Sequence, residues 1–486
     1  MEHEESRHGG SPKVCINAIQ SAMIRSLHRY RTLYPVACFC VEFLLINSAV
    51  ILTASAQFPA SKLLWPHAFP YILCALLIAL ACQMCMYYAD LYDLKTIMSA
   101  YSLFMKLFLS IAAATVVLTV IFYLVPQLPI SYEIFPISLT MIFSSLVVWR
   151  LLYQRLQKTN NFKSRVLILG SSKEARKIAE DLLYYQSFRY DLKGFIDDVC
   201  KQPDVCILYP KILGNYTQIQ EIVERENIDK VVVALSDCRG KLPMETLLAC
   251  KLQGVEVEEG ATFYEQVCSK IMLENLRPSW LVFSQGFSIS PHLCFFKRLA
   301  DILLSILGLI LAAPLMIAVT ILIKIDSQGP LFYRQQRVGQ NGKRFTLIKF
   351  RSMRDDAEAV TGPIFADKDD IRITRVGRLL RTTRVDELPQ LLNVLRGEMS
   401  FVGPRPERPF FVEQFAKEIP YYAQRLSVKP GITGWAQVCY PYGATLEDAI
   451  EKLRLDLYYI KNTSFILDLF IIMKTLKIVV LGKGAR

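Results

Sequence analysis

The 486-residue sequence is long enough for several domains, and its 52% hydrophobic content and mean hydropathy of +0.29 are high for a water-soluble protein. The formal net charge of +12 suits an anionic membrane surface or a phosphate-bearing substrate. No nucleic-acid-binding module is recognisable, so nucleic acid is not an expected partner. The 13 cysteines lack the spacing of a zinc site and do not suggest a disulfide framework.

The N-terminal third is dominated by apolar runs, each close to the roughly 20 residues that cross a bilayer as a helix. Four of them predict a transmembrane helical bundle over residues 35–155, after a cytosolic tail over 1–34. Basic residues precede the first run and follow the fourth, so the positive-inside rule predicts that both ends face the cytosol. The runs cover approximately 35–55, 67–88, 103–125 and 132–153.

Residues 164–275 change character, because apolar β-branched runs alternate with amphipathic helical patterns. This alternation predicts a parallel α/β sheet. In the first turn, Gly170–Ala175, Ser172 stands where a dinucleotide-binding fingerprint has its second glycine. We therefore expect a structural or regulatory Rossmann-like domain, with nucleotide binding as the open alternative. A linker over 276–295 follows.

A further apolar segment, Phe296–Lys324, is also long enough to cross a membrane. Pro314 lies in its middle, where it removes a hydrogen bond and clashes with the preceding turn. Basic residues lie at both ends, so the charges give no inside–outside bias. We expect the helix to break at Pro314, and the family resemblance described below implies a re-entrant helix over 296–325 that enters and leaves on one face. A fifth crossing is the alternative.

The remaining residues, 326–486, predict a domain that lies against the membrane. Its first element is a β-hairpin around Gln340-Asn341-Gly342, since Asn-Gly favours a type I′ turn. Residues 354–370 are acidic and predict a loop or short helix. Phe465–Val480 is apolar but interrupted by charges, which places it at the membrane interface or against the domain.

Two adjacent carboxylates, Asp386 and Glu387, precede a short helix in this domain. Pro389 suits the first turn of that helix, and Gly397 suits its end. Leucines at positions 388, 391, 392 and 395 form one apolar face. The N-terminal end of the helix dipole is expected to keep Asp386 ionised, as a nucleophile must be. The alternative is that Asp386 only caps the helix.

Arginines surround this pair in the sequence, at positions 381, 384 and 405, and guanidinium is well matched to phosphate. Four motifs together resemble the bacterial sugar transferase family, the polyprenyl-phosphate glycosyl-1-phosphate transferases. They are KFRSM at 349–353, RVGRLLR at 375–381, RVDELPQLLNVLRGEMSFVGPRP at 384–406 and KPGITGWAQV at 429–438. The resemblance covers Phe295 to Arg486, and the upstream half is similar to the long multi-domain members.

This resemblance implies transfer of a sugar-1-phosphate from a UDP-sugar to undecaprenyl phosphate, with release of UMP, as the first membrane step of exopolysaccharide or related glycan synthesis. It implies that Asp386 forms an aspartyl phosphosugar intermediate and that Glu387 helps to hold Mg²⁺. It also implies a place in the bacterial inner membrane, with the catalytic domain facing the cytoplasm. The expected phosphate-binding side chains are Lys349, Arg351, Arg381 and Arg405.

Three further points remain open in the sequence. Arg425, Lys429 and Trp435 are candidates for nucleoside contacts, although Trp435 is equally suited to a core or an interface position. A homodimer is compatible with the upstream domains, but no residue argues for it. The alternative function is a non-catalytic membrane scaffold or a nucleotide-sensing regulator.

Overall fold

The computed structural model describes residues 34–57, 69–92, 99–125, 134–158, 163–186, 190–198, 211–235, 242–274, 284, 286–287, 290–354, 370, 372–440, 443 and 445–480. The predicted tail and the predicted acidic loop lie almost wholly outside these residues, as does more than half of the predicted linker. Contacts group the chain into two compact units. The first takes the residues up to Leu169 with Leu182–Val231 and Pro243–Val257, and the second takes Gly170–Asp181, Val232–Leu242 and the residues from Glu258 onward.

Four long helices form the N-terminal part and pack around a shared apolar core that includes Ile46, Ile78, Leu107 and Leu146. Each coincides with a predicted apolar run to within a few residues. Large apolar side chains such as Val116 are exposed on their outer faces, as lipid contact requires. The helices are α1 (Tyr34–Gln57), α2 (Phe69–Tyr88), α3 (Ala100–Leu124) and α4 (Ile134–Lys158).

A five-stranded sheet follows, with the strand order β3-β2-β1-β4-β5 that is typical of a doubly wound, Rossmann-like fold. Its β1–β2 and β2–β3 pairs are parallel, as predicted. The strands are β1 (Ser164–Leu169), β2 (Tyr190–Ile196), β3 (Ile212–Gly214), β4 (Lys230–Val233) and β5 (Glu256–Glu259). The helices between and after them are α5 (Lys173–Gln186), α6 (Ile219–Arg225), α7 (Met244–Leu252) and α8 (Gly260–Cys268).

The loop before α5 uses Ser172 for internal contacts. The hydroxyl of Ser172 lies 3.1 Å from the carbonyl oxygen of Ala234, to which it donates, and accepts a hydrogen bond from the N–H of Ala175 at 3.2 Å. Ser172 therefore caps α5 from the position where the fingerprint has a glycine.

The second unit contains α9 (Pro291–Asp326), a single helix of 36 residues that continues through Pro314. The predicted break in the helical backbone is therefore wrong. A proline removes one N–H, and a helix can absorb that loss by bending without leaving helical dihedral angles. Among the described residues, α9 and α1–α4 are five helices that are long and apolar enough to cross a membrane.

Both ends of α9 contact the domain that follows. Near its start, Arg298 donates hydrogen bonds to the carbonyl oxygens of Val394 and Leu395 at 2.6 and 2.7 Å. Near its end, Val319 and Ile323 share an apolar cluster with Phe350 and Leu380. The helix therefore lies along the domain at both ends.

That domain begins with an antiparallel hairpin of β6 (Phe332–Val338) and β7 (Arg344–Phe350). Its turn confirms the Asn-Gly prediction. Asn341 and Gly342 have φ values of 56° and 76°, and the N–H of Lys343 donates to the carbonyl oxygen of Gln340. Primed turns require these positive φ values, which Asn and Gly adopt readily.

The rest of the domain is built around one helix, α14 (Leu446–Lys461), whose buried face includes Leu453 and Leu457. A short parallel pair of strands, β8 and β9, lies beside α15, the predicted apolar C-terminal segment. The elements are α10 (Arg375–Thr383), α11 (Gln390–Arg396), β8 (Ser400–Val402), α12 (Pro409–Glu418), β9 (Gly431–Thr433), α13 (Trp435–Cys439), α14 and α15 (Phe465–Val480).

Candidate active site

The two carboxylates lie in a tight connection between α10 and α11. Arg384 ends α10 in the left-handed region, with φ 57°, and this reverses the chain. A single 3₁₀ turn, Val385–Glu387, then carries Asp386 and Glu387, and Pro389 leads into α11. The predicted helix is confirmed, with Gly397 at its end, but it is one turn shorter than the leucine pattern suggests. The dyad therefore sits on a constrained turn between two helices.

Basic side chains from three separate parts of the chain converge on Glu387. The Nζ atom of Lys349, on β7, lies 2.8 Å from Glu387 Oε1, and an Nη atom of Arg405 lies 3.3 Å from the same oxygen. Arg384 is farther away, with 3.9 Å between its Nη1 atom and Glu387 Oε2. Sequence reasoning predicted Lys349 and Arg405 as members of one site, and the structure brings both of them to Glu387.

Asp386 is buried, with an exposed fraction of 7%. Burial raises the pKa of its carboxyl group to about 6, and the neighbouring Glu387 adds to this rise, while Lys349, Arg381 and Arg405 oppose it. Desolvation thus works against the ionised form of Asp386 that the sequence leads us to expect, because burial disfavours a charge. A group with a pKa of about 6 is still mainly ionised at neutral pH.

Glu387 behaves in the opposite way. Burial alone would raise the pKa of Glu387, but the charges of Lys349 and Arg405, with the hydrogen bond from Lys349, bring that pKa well below its ordinary value. The two adjacent carboxylates are thus driven apart in pKa. Such a separation is typical of sites in which neighbouring acids have different tasks.

Arg381 approaches the dyad without a direct ion pair to it among the described contacts. Its charge lowers the pKa of Asp386, and an Nη atom lies 4.0 Å from the sulfur of Met353. Arg381 is thus near enough to act on an anion beside Asp386.

Arg351 was predicted to bind substrate, but its contacts indicate another role. Its guanidinium is buried and donates to the carbonyl oxygens of Ser327 and Gln328 and to the hydroxyl of Ser327. These bonds hold the segment after α9 against the end of β7. The structure therefore does not support a substrate contact for Arg351.

The suggested nucleoside-binding residues are also mostly engaged inside the domain. Arg425 is buried and pairs with Asp456 at 2.9 Å. The indole N–H of Trp435 donates to the carbonyl oxygen of Ser269, and its ring packs against Tyr458. Trp435 is a core aromatic, and Arg425 and Trp435 are unsuited to contact a nucleoside.

Two residues that support the site were missed by sequence reasoning. Asn393, on α11, accepts a hydrogen bond from the N–H of Ile348 at 3.2 Å and donates to the carbonyl oxygen of Thr346 at 2.8 Å, both on β7. Arg298, on α9, binds the last carbonyl groups of α11. The sequence offered one signal for each residue. Asn393 is polar within a helix whose pattern is largely apolar, and Arg298 is charged at the start of an apolar segment.

The donor set fits Mg²⁺ only together with a phosphorylated substrate. Among the described residues no three His, Cys, Asp or Glu side chains lie together as a metal site. Mg²⁺, however, is commonly held by one or two carboxylates, water and substrate phosphates. Glu387 Oε1 is in contact with Lys349 and Arg405. Glu387 Oε2 lies 3.9 Å from Arg384, which is too far for a hydrogen bond. Glu387 Oε2 and Asp386 are therefore the oxygens suited to such an ion.

Family models match two parts of the chain. The model described as "Bacterial sugar transferase" matches residues 292–482, which include the dyad and all of α9 except its first residue. The model described as "CoA-binding domain" matches residues 88–242, which include most of the Rossmann-like sheet. The first match coincides with the domain that holds the carboxylate and basic cluster.

Similar proteins carry related names. An Aeromonas hydrophila protein named UDP-N-acetylgalactosamine-undecaprenyl-phosphate N-acetylgalactosaminephosphotransferase is 42% identical over 53% of this chain and 60% of its own length. An undecaprenyl-phosphate glucose phosphotransferase of Komagataeibacter xylinus is 33% identical over 67% of this chain and 61% of its own length. The matches thus span about three fifths of each of these two relatives.

A shorter relative is matched over almost its whole length. The exopolysaccharide production protein PSS of Rhizobium leguminosarum bv. phaseoli is 45% identical over 37% of this chain and 92% of its own length. The part that it shares with the present chain is large enough to identify the family.

Proposed function

The chain belongs to the bacterial sugar transferase family, and on this basis we propose that it transfers a sugar-1-phosphate from a UDP-sugar to undecaprenyl phosphate. The products are undecaprenyl diphosphate sugar and UMP, and the step begins the synthesis of an exopolysaccharide or a related glycan. The names of the relatives support the lipid acceptor and the class of donor. The observation that carries the proposal is the buried Asp386–Glu387 pair surrounded by basic side chains.

The chemistry proceeds in two displacements at one phosphorus atom. A carboxylate oxygen of Asp386 attacks the phosphorus next to the sugar, the bond from that phosphorus to the bridging oxygen breaks, and UMP leaves with the electron pair. An oxygen of undecaprenyl phosphate then attacks the same phosphorus, and the Asp386 carboxylate is released unchanged. A covalent carboxylate intermediate divides one difficult transfer into two easier ones.

The basic cluster supports each displacement. Both substrates are polyanions, and charge accumulates on the phosphoryl oxygens as the nucleophile approaches. Lys349 and Arg405, already fixed by Glu387, present preorganised positive charge in a largely dry site, where such charge is most effective. Arg381 adds a further positive charge near Asp386.

We place Mg²⁺ at Glu387, with Asp386 and substrate phosphates as further ligands. The ion would neutralise phosphate charge and assist departure of the UMP phosphate.

The membrane arrangement belongs to the same proposal. A folded domain that contacts Arg298 and also Val319 and Ile323 would have to lie on one side of a bilayer. These contacts support a re-entrant α9 whose two ends lie on the same face of the membrane, which a bend within the unbroken helix would allow. The basic residues around α1–α4 and a donor made in the cytosol support a catalytic domain at the cytoplasmic face of the bacterial inner membrane.

The test is UMP release by the purified full-length protein in detergent or vesicles, given undecaprenyl phosphate, Mg²⁺ and a panel of UDP-hexoses. We expect turnover with at least one donor, and Asp386→Asn is expected to lower turnover by at least about 10⁴-fold because the nucleophile is lost. Glu413→Gln, which neutralises an exposed carboxylate on α12, is the matched control.

Two results would overturn the proposal. One is an absence of turnover with every donor in the wild-type protein, which would favour a scaffold or a regulator. The other is full turnover by Asp386→Asn.

A further inference from the structure

The turn that carries Arg405 is unusual in how it is held. Pro404 and Pro406 flank Arg405, and a proline has no backbone N–H to donate. Side chains or neighbouring strands must therefore hold this turn mainly through its carbonyl groups. Gly403 begins the segment and Glu407 ends it.

All four carbonyl groups from Pro404 to Glu407 accept a hydrogen bond. The N–H of Gly431 donates to Pro404 at 2.9 Å, and the N–H of Val338 donates to Glu407 at 3.0 Å. The two carbonyl groups between them are bound by buried guanidinium groups instead of by backbone.

Arg425 donates from Nη2 to the carbonyl oxygen of Arg405 at 3.0 Å. The same guanidinium is fixed by two other partners, the Tyr422 hydroxyl at 2.6 Å and Asp456 Oδ2 at 2.9 Å. Arg425 is only 6% exposed, so these protein groups, and not water, are its main hydrogen-bond and charge partners.

Arg337, on β6, donates from Nη1 to the carbonyl oxygen of Pro406 at 2.9 Å. The second terminal nitrogen of Arg337, Nη2, donates to the side-chain oxygen of Gln335 at 2.6 Å. The carboxylate of Glu407 lies 3.7 Å from Arg337 Nη1. Arg337 thus joins the turn to the hairpin whose other strand carries Lys349.

We propose that Arg425 and Arg337 are positioning residues that fix the Pro404–Glu407 turn, so that Arg405 reaches Glu387 and the phosphate of the donor. This inference rests on the proposed function for the phosphate contact, whereas the fixing of the turn does not depend on it. A lysine can reach one carbonyl but lacks the planar set of donors that holds several partners in fixed directions. Replacing either arginine by lysine therefore keeps the positive charge but loses the fixed hydrogen-bond arrangement.

The first readout is hydrogen exchange of the full-length protein in detergent, followed by mass spectrometry. Arg425→Lys is expected to speed exchange at the amides of Val338 and Gly431, because both bind this turn. Arg454→Lys is the control, since Arg454 is an equally buried arginine of the same domain whose ion pairs are with Glu274 and Glu451. Unchanged exchange in Arg425→Lys would overturn the inference whether or not the protein is active.

The second readout is a double-mutant cycle in the UMP-release assay. Arg425→Lys is expected to lower kcat/KM by about 10- to 100-fold, since small displacements of a contacting group have effects of this order. In an Arg405→Ala background the same substitution should have almost no further effect, because it acts through Arg405.

Equal losses in both backgrounds would mean that Arg425 acts only through general stability, and would overturn the inference. If Arg425→Lys fails to fold, Arg337→Lys takes its place in both readouts with the same expected outcomes. An inactive wild-type protein would refute the proposed function, while the exchange experiment would still decide whether Arg425 fixes the turn.

Discussion

Two buried carboxylates in this chain, Glu42 in the helical bundle and Glu387 in the catalytic domain, are surrounded by positive charge in different ways. Glu42 is fully buried and meets a single arginine, Arg150, at 2.6 Å from Nε to Oε1 and 3.1 Å from Nη2 to Oε2. Arg150 also donates to the carbonyl oxygen of Leu91 at 2.8 Å. Each charge in this pair is satisfied by the protein itself.

The cluster at Glu387 is not balanced in this way. Lys349, Arg381 and Arg405 act on Asp386, and Lys349, Arg405 and Arg384 act on Glu387, so cations from different parts of the chain share one pair of adjacent carboxylates. Several cations gathered in one site favour the arrival of further negative charge, such as phosphate. The comparison separates a one-to-one pair, which is self-contained, from a cluster of several cations, which is suited to bind an anionic substrate.

The largest stability effect is expected in the bundle. Arg150→Met leaves Glu42 buried without its partner, and we expect a loss of about 3 to 5 kcal/mol in the free energy of unfolding. The combined variant Glu42→Met/Arg150→Met should recover most of this loss, because no charge is left uncompensated. Thermal unfolding in detergent measures both. A double variant no more stable than Arg150→Met would contradict the view that the pair is self-contained.

The corresponding change in the catalytic domain should affect activity more than stability. Lys349→Met is expected to lower kcat/KM by about 100-fold, the order of loss when one preorganised charge-stabilising group is removed. Its unfolding temperature should change less than that of Arg150→Met, because Glu387 keeps Arg405. Lys343→Met, at the exposed hairpin turn, is the control. If Lys349→Met lowered the unfolding temperature as much as Arg150→Met, the proposed difference between the two sites would be contradicted.

The smallest expected effect is the pH dependence of stability that arises from Asp386. Because its pKa is raised to about 6, the ionised carboxylate destabilises the folded state above that pH. Stability should therefore rise as pH falls from about 6 toward the ordinary value of about 4, where the unfolded chain also binds the proton. Asp386→Asn should be more stable than the wild type by about 1 to 3 kcal/mol at pH 7.5 and lose this advantage near pH 4.

Glu387→Gln is the matched contrast to Asp386→Asn. The pKa of the Glu387 carboxyl group is lowered in the folded state, so the ionised group stabilises the fold at neutral pH. This stabilisation is lost as the pH falls through and below the ordinary pKa of a glutamate. Neutralising it should therefore destabilise the protein at pH 7.5. Unfolding temperatures of both variants and the wild type, measured from pH 4 to 8, provide the test. At pH 7.5 we expect Asp386→Asn to unfold at a higher temperature than the wild type and Glu387→Gln at a lower one. A shift of both variants in the same direction would contradict the separate environments inferred for the two carboxylates.

Local patterns in the sequence predicted most of the elements. Apolar runs of membrane-crossing length became α1–α4, alternating strand and helix patterns became the parallel sheet, and Asn341-Gly342 became the hairpin turn. These features depend on a few neighbouring residues, so periodicity and turn chemistry are sufficient to find them. The convergence of Lys349 and Arg405 on the dyad was also predicted, but through resemblance to a family.

The failures came from contacts between residues distant in sequence. Nothing local to Arg351 indicates that Ser327 and Gln328 will bind it, and nothing local to Arg425 indicates the carbonyl of Arg405 as its partner. The burial that raises the pKa of Asp386 was also not predictable from local sequence, because it depends on how β7, α10 and α11 pack. Long-range packing decides which arginines reach substrate and which support the fold.

The account depends most on Asp386 as the nucleophile, and the direct measurement is to trap its product. Full-length protein is given Mg²⁺ and the UDP-sugar that supports turnover, without undecaprenyl phosphate, then quenched and digested for mass spectrometry. The account predicts release of up to one UMP per active site and a sugar-phosphate adduct on the peptide that contains Asp386, absent from Asp386→Asn. UMP release that requires the lipid acceptor, with no adduct on that peptide, would contradict it.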